Sequence, residues 1–490
     1  MVPGYAAARP RPTGFPTGRR PVPDPSLRPN VAAVTGESEG KGARTRPGRR
    51  WRALVDEWRL STITLGAPAF PLVVLFGLNA VDELDRTAFA VLLPDIRDHF
   101  GLTDRGALLL VAASAIAVIL IEVPLSFYCD RRNRVRIART GAAVWGVFSA
   151  GTGLALNLPM LLAMRIGAGG GRAVVNPTHS SLLSDYYEPA SRVKVFAIHR
   201  QGNSVGQILG PLLGGGLAYA FGWRTPFVLF AVPTAILVLL SLRLREPVRG
   251  HHERRAAGAD EAAATTEEAH ETVRSTMRIL ARVRTLRRIW AAVPFLGIAL
   301  FGIPNLLSLI YEDVFGLNSA QRGLIAAGVE PLQIAGVFLG MPVVARIAAR
   351  NPEFLLRFVG IVGIADGLLL VALAYSPHLW VAIGVHALLA ASIGTLAPAF
   401  FALVSLVAPP RVRAASFSTM SVFAIPGIGL FLPLIGWVSD QVGIKASMVV
   451  MVPVSLAAGF LLASAARFVQ GDIAAAHAES LARVSGPAPT

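Results

Sequence analysis

The sequence predicts an all-α membrane protein: twelve transmembrane helices in two pseudo-symmetric six-helix bundles. Three observations predict it. Apolar runs recur at spanning length, arginines crowd alternate loops, and a repeat relates the two halves of the chain.

The apolar runs come first. Of the 490 residues, 53% are hydrophobic and 16% are charged, with a mean hydropathy of +0.55. A soluble chain carries about 25% charged residues. The apolar residues are clumped into runs near the ~20 residues that a bilayer requires. Spans are expected at 67–93, 105–128, 136–156, 159–184, 194–220, 224–243, 290–312, 319–345, 354–375, 377–399, 411–437 and 444–468. A polar stretch from Arg243 to Arg288 divides them six and six.

The expected organisation is a disordered basic tail at 1–60, a first bundle at 61–243, a linker at 244–289, a second bundle at 290–468 and a tail at 469–490. Pro, Gly and Arg dominate the first 55 residues, a composition that cannot bury a core. That tail is solvated or touches anionic lipid headgroups. The first apolar run begins near Gly66, so no cleavable signal peptide is expected. Within the linker, Thr265–Arg288 reads as an amphipathic surface helix with Arg274, Arg278 and Arg282 on one side.

The net charge is +16. Nucleic acid is excluded as its explanation, because the arginines sit between apolar runs and alternate in density. Arg131–Arg139, Arg192–Lys194, Arg243–Arg288, Arg346–Arg357 and Arg411–Arg413 occupy alternate loops, and the intervening loops are poor in cations. The positive-inside rule then puts both termini in the cytoplasm. The single cysteine, Cys129, allows no internal disulfide and no cysteine metal site. The chain shows no His/Glu metal spacing, no Gly-x-Ser-x-Gly and no nucleotide-binding loop. Neither an enzyme nor a cofactor is expected.

The repeat is visible locally. Arg192-Val-Lys194 precedes a helix carrying Gly210, and Arg411-Val-Arg413 precedes one carrying Gly429 at the same offset. Gly101-Leu-Thr and Gly316-Leu-Asn open the second helix of each half.

Two motifs identify a family. The loop after the second helix reads Asp130-Arg131-Arg-Asn-Arg134-Val-Arg136. The fifth helix reads Gly206-Gln-Ile-Leu-Gly210-Pro211-Leu-Leu-Gly214-Gly215. Glycines at this spacing let backbones approach closely, and Pro211 bends the helix. The chain resembles the major facilitator superfamily, whose loop motif is Gly-x-x-x-Asp-Arg-x-x-Arg, with Ser126 standing in place of the glycine. The fifth-helix motif matches at every fixed position and is typical of the family's antiporters. In the first half, Leu84-Asp85-Arg86, Leu93-Pro94, His99-Phe-Gly-Leu102, Arg165, Pro177, Asp185 and Gly222-Trp223-Arg224 resemble the Spinster-like branch, which includes lysophospholipid and sphingolipid transporters. That branch carries a proton-coupling glutamate in its fourth helix. Here Gly171-Arg172-Ala173 puts a cation in its place.

Ionisable groups inside a membrane helix cost at least about 2.5–3.5 kcal/mol, so they are retained for pairing or function. Asn79, Asp82, Glu83 and Arg86 form a stripe on the first helix, with Asp85 off that face and Asp82 placed to pair with Arg86. Glu122 stands in the second helix. Arg165, Arg172, Asn176 and His179 share a stripe on the fourth, and His199, Asn203 and Gln207 one on the fifth. The resemblance brings these stripes together at a central cavity, where Glu122 or Asp82 would neutralise Arg172 or Arg165. Protonation of Glu122 or Asp85 would then release an arginine. The alternative is a static charge pair that fixes packing. Arg172 is also a candidate anchor for a phosphate headgroup. In the second half, Asn305, Glu330, Gln333, Asp366 and His386 interrupt apolar runs, and Glu330 precedes Pro331, where a break is expected.

The resemblance implies a monomeric secondary transporter of a small amphipathic or lipid-like solute, working by alternating access among membrane lipids, with protons as a coupling partner. The alternatives are proton-antiport efflux of drugs or metabolites, and a transporter-like sensor or membrane partner protein.

Overall fold

The computed structural model describes residues 59–130, 132–248, 273–408 and 413–484. The basic tail before Arg59, Arg131 of the loop motif, most of the linker, Arg411 and the last six residues lie outside them. For Asp130 only the backbone is described; it ends a helix.

In chain order the helices are α1 (Leu60–Ile63), α2 (Phe70–Val91), α3 (Leu93–His99), α4 (Asp104–Asp130), α5 (Arg134–Gly153), α6 (Leu158–Arg172), α7 (Val175–Tyr186), α8 (Pro189–Phe221), α9 (Arg224–Ser241), α10 (Val273–Arg282), α11 (Arg284–Asp313), α12 (Ser319–Arg350), α13 (Pro352–Ala374), α14 (Leu379–Val407), α15 (Arg413–Val442), α16 (Ile444–Ser447) and α17 (Met451–Val484). Among the described residues there is no strand. In lipid, a helix satisfies its own backbone hydrogen bonds.

Several expected boundaries change. The fourth span is two helices, α6 and α7, separated at Ala173–Val174. The glycines at 167, 169, 170 and 171 lower helix propensity just before this point. The expected helix at 265–288 is interrupted at Val283, and Arg284–Arg288 begin α11 instead. No break follows Glu330, because α12 runs unbroken through Pro331 and Pro342. α17 continues to Val484, past the expected end of its span at 468.

Eight stretches among the described residues are long and apolar enough to cross a membrane. They are in α4, α9, α11, α12, α13, α14, α15 and the α16–α17 pair. The remaining long helices of the first half, α2, α5, α6–α7 and α8, carry the buried charged residues Glu83, Asp85, Arg134 and Arg165.

The two halves repeat one packing scheme. α2 lies on α8 as α11 lies on α15, and α5 packs on α6 and α9 as α13 packs on α14 and α17. The second helix of each half packs on the fifth of the other: α4 on α15, and α12 on α8. Backbone details repeat too. Gly101 and Gly316 take φ of 61° and 65°, and Gly222 and Gly443 both take 88°. These left-handed values are costly for any residue with a Cβ. The third helix of each half begins at an asparagine: the Asn133 and Asn351 side chains accept from Arg136 N at 2.8 Å and Phe354 N at 2.9 Å.

The glycine face of α8 sets the closest approach. A Cβ at Gly206 would meet the Ala80 carbonyl and Glu83 of α2, and one at Gly210 would meet Thr87 and Leu84. Gly214 faces Ala88 of α2, while Gly215 faces Ser319 and Gly323 of α12 in the other half. Pro211 lies within α8, its carbonyl against Gly323. The motif therefore joins α8 to two neighbours at once.

Candidate functional site

Two polar clusters and one cavity stand out. The first cluster is buried inside the first half, between α2, α5 and α6. Asp85 is 0% exposed. Its carboxylate accepts from Ser149 Oγ and from Arg165 Nη1, the latter at 3.2 Å. Arg172 reaches it at 3.8 Å and reaches Asp82 Oδ1 at 3.2 Å. The Arg165 guanidinium also lies 4.1 Å from the Phe89 ring centroid, an arrangement worth about 2 kcal/mol when desolvated. Two acids therefore neutralise two arginines brought in by α6.

These contacts correct three expectations. Asp82 leaves the face of Asn79, Glu83 and Arg86 and joins Asp85, which lies off that face as expected and is the most deeply paired acid of α2. Arg86 pairs with Glu83, not with Asp82: its Nε donates to Glu83 Oε2 at 3.1 Å and its Nη2 donates to Oε1. Glu122 has no hydrogen bond or ion pair among the described residues, so Asp82 and Asp85, and not Glu122, balance Arg165 and Arg172. Arg172 reaches both acids through Nε and Nη2, while its Nη1 is buried with no hydrogen-bond partner among the described residues. The geometric reason lies in α2: adjacent turns aim Asp82 and Asp85 at α6, and Glu83 and Arg86 at α8.

A polar seam continues this cluster along α8. Asn79 Nδ2 donates to the His199 carbonyl at 3.0 Å and to Asn203 Oδ1. His199 Nε2 and His179 Nδ1 are 3.1 Å apart, joining α7 to α8. Asn176, expected on the stripe of Arg165 and Arg172, is exposed on α7 beyond the break.

The cavity, of about 260 Å³, lies where the halves meet. Arg86, Gln207 and Pro211 line it from the first half, and Glu330, Tyr311 and His386 from the second. Gln207 Nε2 donates to Glu83 Oε1 at 3.1 Å. Tyr311 Oη and His386 Nδ1 are 3.0 Å apart. Thr87, Ser308, Arg322 and Gln333 also line it, and the rest of the wall is apolar.

Beyond the cavity, near α3, side-chain bonds cross between the halves. Arg97 donates twice to Asp313, at 2.8 and 2.9 Å, and once to Asp104 at 2.6 Å. Arg322, 2% exposed, donates to Asp95 and to the Leu317 carbonyl, and pairs with Glu312 at 3.0 Å. Ser439 Oγ donates to Asp104 at 2.5 Å, and Ser308 Oγ to the Val91 carbonyl at 2.7 Å. Together these form a latch. The sequence reading missed it because each member sits at a helix end, where polar residues are unremarkable.

The second cluster is at the opposite end of α5. Arg134 is 2% exposed and donates to Asp185, to Glu246 Oε1 at 2.8 Å, to Ser181 Oγ at 2.7 Å and to the Pro247 carbonyl at 3.0 Å. Burial works against its charge, but Asp185 and Glu246 hold the guanidinium above its usual range. One arginine of the loop motif thus ties α5 to α7 and to the segment after α9.

The Major Facilitator Superfamily sequence model matches residues 75–425. The chain is 26% identical over 163 residues to the probable L-galactonate transporter of Escherichia coli (strain K12), covering 33% of this chain and 36% of that one. It is 24% identical over 302 residues to Protein spinster of Drosophila melanogaster, covering 58% and 47%. The match spans less than half the length of either relative. A crystal structure of a bacterial homologue of the human lysosomal transporter Spinster, inward-facing and unoccupied, superposes with a TM-score of 0.69 at 21% identity, covering 82% of this chain and 98% of that one. That likeness shows the fold. The repeated six-helix packing agrees with that fold, and the family match over more than half its length establishes that the chain belongs to the Major Facilitator Superfamily.

Proposed function

We propose that this protein is a secondary active transporter of the cell membrane that moves a small amphipathic or lipid-like solute by alternating access. It works as a monomer with both termini in the cytoplasm. The cavity carries this reading: it lies between the halves, with an apolar wall and a few convergent polar groups, the usual make-up of a small-molecule site. The latch closes its α3 side, which the arginine distribution places outside. The solute therefore enters from the cytoplasmic side in this conformation. Sites between repeats near the midplane are the general plan of such transporters.

The coupling partner is the proton. Asp85 holds Arg165, and a proton on Asp85 would leave that guanidinium buried without a counter-charge. Rearrangement of α6 against α2 relieves this, so protonation biases one conformation over the other. The glycine motif of α8 favours antiport as a second reading, with efflux of drugs or metabolites as its outcome. Flux into proteoliposomes tests both, using lysolipids and drug-like amphiphiles with and without an imposed pH gradient. Uptake that follows the gradient supports coupling. Absence of flux for the whole panel leaves a sensor or membrane partner protein as the better account.

A further inference from the structure

The charged side chains of the cavity wall are Arg86, Arg322 and Glu330. Both arginines are already held: Arg86 by both oxygens of Glu83, Arg322 by Asp95, Glu312 and the Leu317 carbonyl. Glu330 is different. It lines the cavity from α12, within electrostatic reach of Glu83 and Arg86, and makes no hydrogen bond or ion pair among the described residues. Its nearest polar neighbour on the same helix face, Gln333, is neutral.

We infer that the transported solute carries a cationic nitrogen, an ammonium on an apolar body, and that Glu330 is its anchor. The inference rests on the cavity being the solute site. An ammonium there donates to the Glu330 carboxylate, with Gln207 and Gln333 within the same polar ring. One positive charge neutralises the trio of Glu83, Arg86 and Glu330. A carboxylate or phosphate in the same place would face Glu330 directly, and would have to displace Glu83 from Arg86. Opposite charges about 4 Å apart in a partly buried site attract strongly, and like charges repel as much. The apolar walls from α11 and α14 take the rest of the solute. Because Glu330 belongs to the second half and Glu83 to the first, one bound cation bridges both.

The test compares three probes of equal chain length, octylammonium, octanol and octanoate, titrated calorimetrically into the full-length protein in lipid nanodiscs. Octylammonium should bind at least tenfold more tightly than octanoate, with octanol between them. Glu330→Gln should abolish that preference while leaving octanol binding within about twofold. Gln333→Glu, which adds a carboxylate one turn along α12, should widen the preference severalfold and does not depend on the first variant folding. Equal binding of the three probes to the unaltered protein, or a preference that survives Glu330→Gln, overturns the inference alone. Failure of every probe to bind overturns the reading of the cavity as the solute site, and this inference with it.

Discussion

Replacing Asp85 by Asn should cost about 3 kcal/mol of stability, and the structure shows why. The substitution keeps the shape and the Ser149 contact but removes the one carboxylate that Arg165 touches among the described residues. Arg172 keeps Asp82 at 3.2 Å, so one guanidinium is orphaned, not two. Removing one partner of a buried pair costs about 3–5 kcal/mol. The Phe89 face 4.1 Å away still attracts Arg165, which puts the expectation at the low end of that range. Thermal unfolding of the purified protein in detergent, followed by tryptophan fluorescence, measures the loss; Trp145, 1% exposed on α5, reports from beside the cluster. The decisive comparison is the double variant with Arg165→Gln. If Asp85 and Arg165 couple, removing both charges recovers much of the stability that Asp85→Asn loses. A loss of less than about 0.5 kcal/mol, the level of an ordinary surface change, or strict additivity in the double variant, would refute the ion-pair account.

Three other outcomes follow from the same geometry. Gly206→Ala should destabilise by about 1–3 kcal/mol through overpacking against the Ala80 carbonyl and Glu83, whereas Gly216→Ala, with open space at its Cβ, should be neutral or slightly stabilising; paired melting curves check both. Arg134→Gln should lose about 2–4 kcal/mol, since it removes the charged bonds to both Asp185 and Glu246, and the loss should shrink when Glu246→Gln is added. Arg97→Gln removes the fork onto Asp313 and the bond to Asp104, so spin labels at Leu154→Cys and Tyr375→Cys in a Cys129→Ala background should show a longer distance between halves; an unchanged distance distribution would mean that the latch does not hold that end closed.

Much of the fold is legible because the bilayer makes the rules simple. Span length, the arginine asymmetry and the glycine offsets each follow from a single constraint, and each survives even where hydropathy is weak, as in α2 and α8. The pairing of charges was not legible, for a geometric reason. On α2, Asp82, Glu83, Asp85 and Arg86 fall within five consecutive residues. A helical wheel separates them by face but does not say which face meets α6 and which meets α8. That choice belongs to the glycines of α8, which pull α2 in along the line of Ala80, Glu83, Leu84 and Thr87. Once that line is fixed, Glu83 faces Gln207 and the cavity, and Asp82 and Asp85 meet the α6 arginines, with Ser149 of α5 also donating to Asp85. The cation at position 172 then stops being an anomaly. It is a second counter-charge for the two acids of α2, 3.2 Å from Asp82 and 3.8 Å from Asp85.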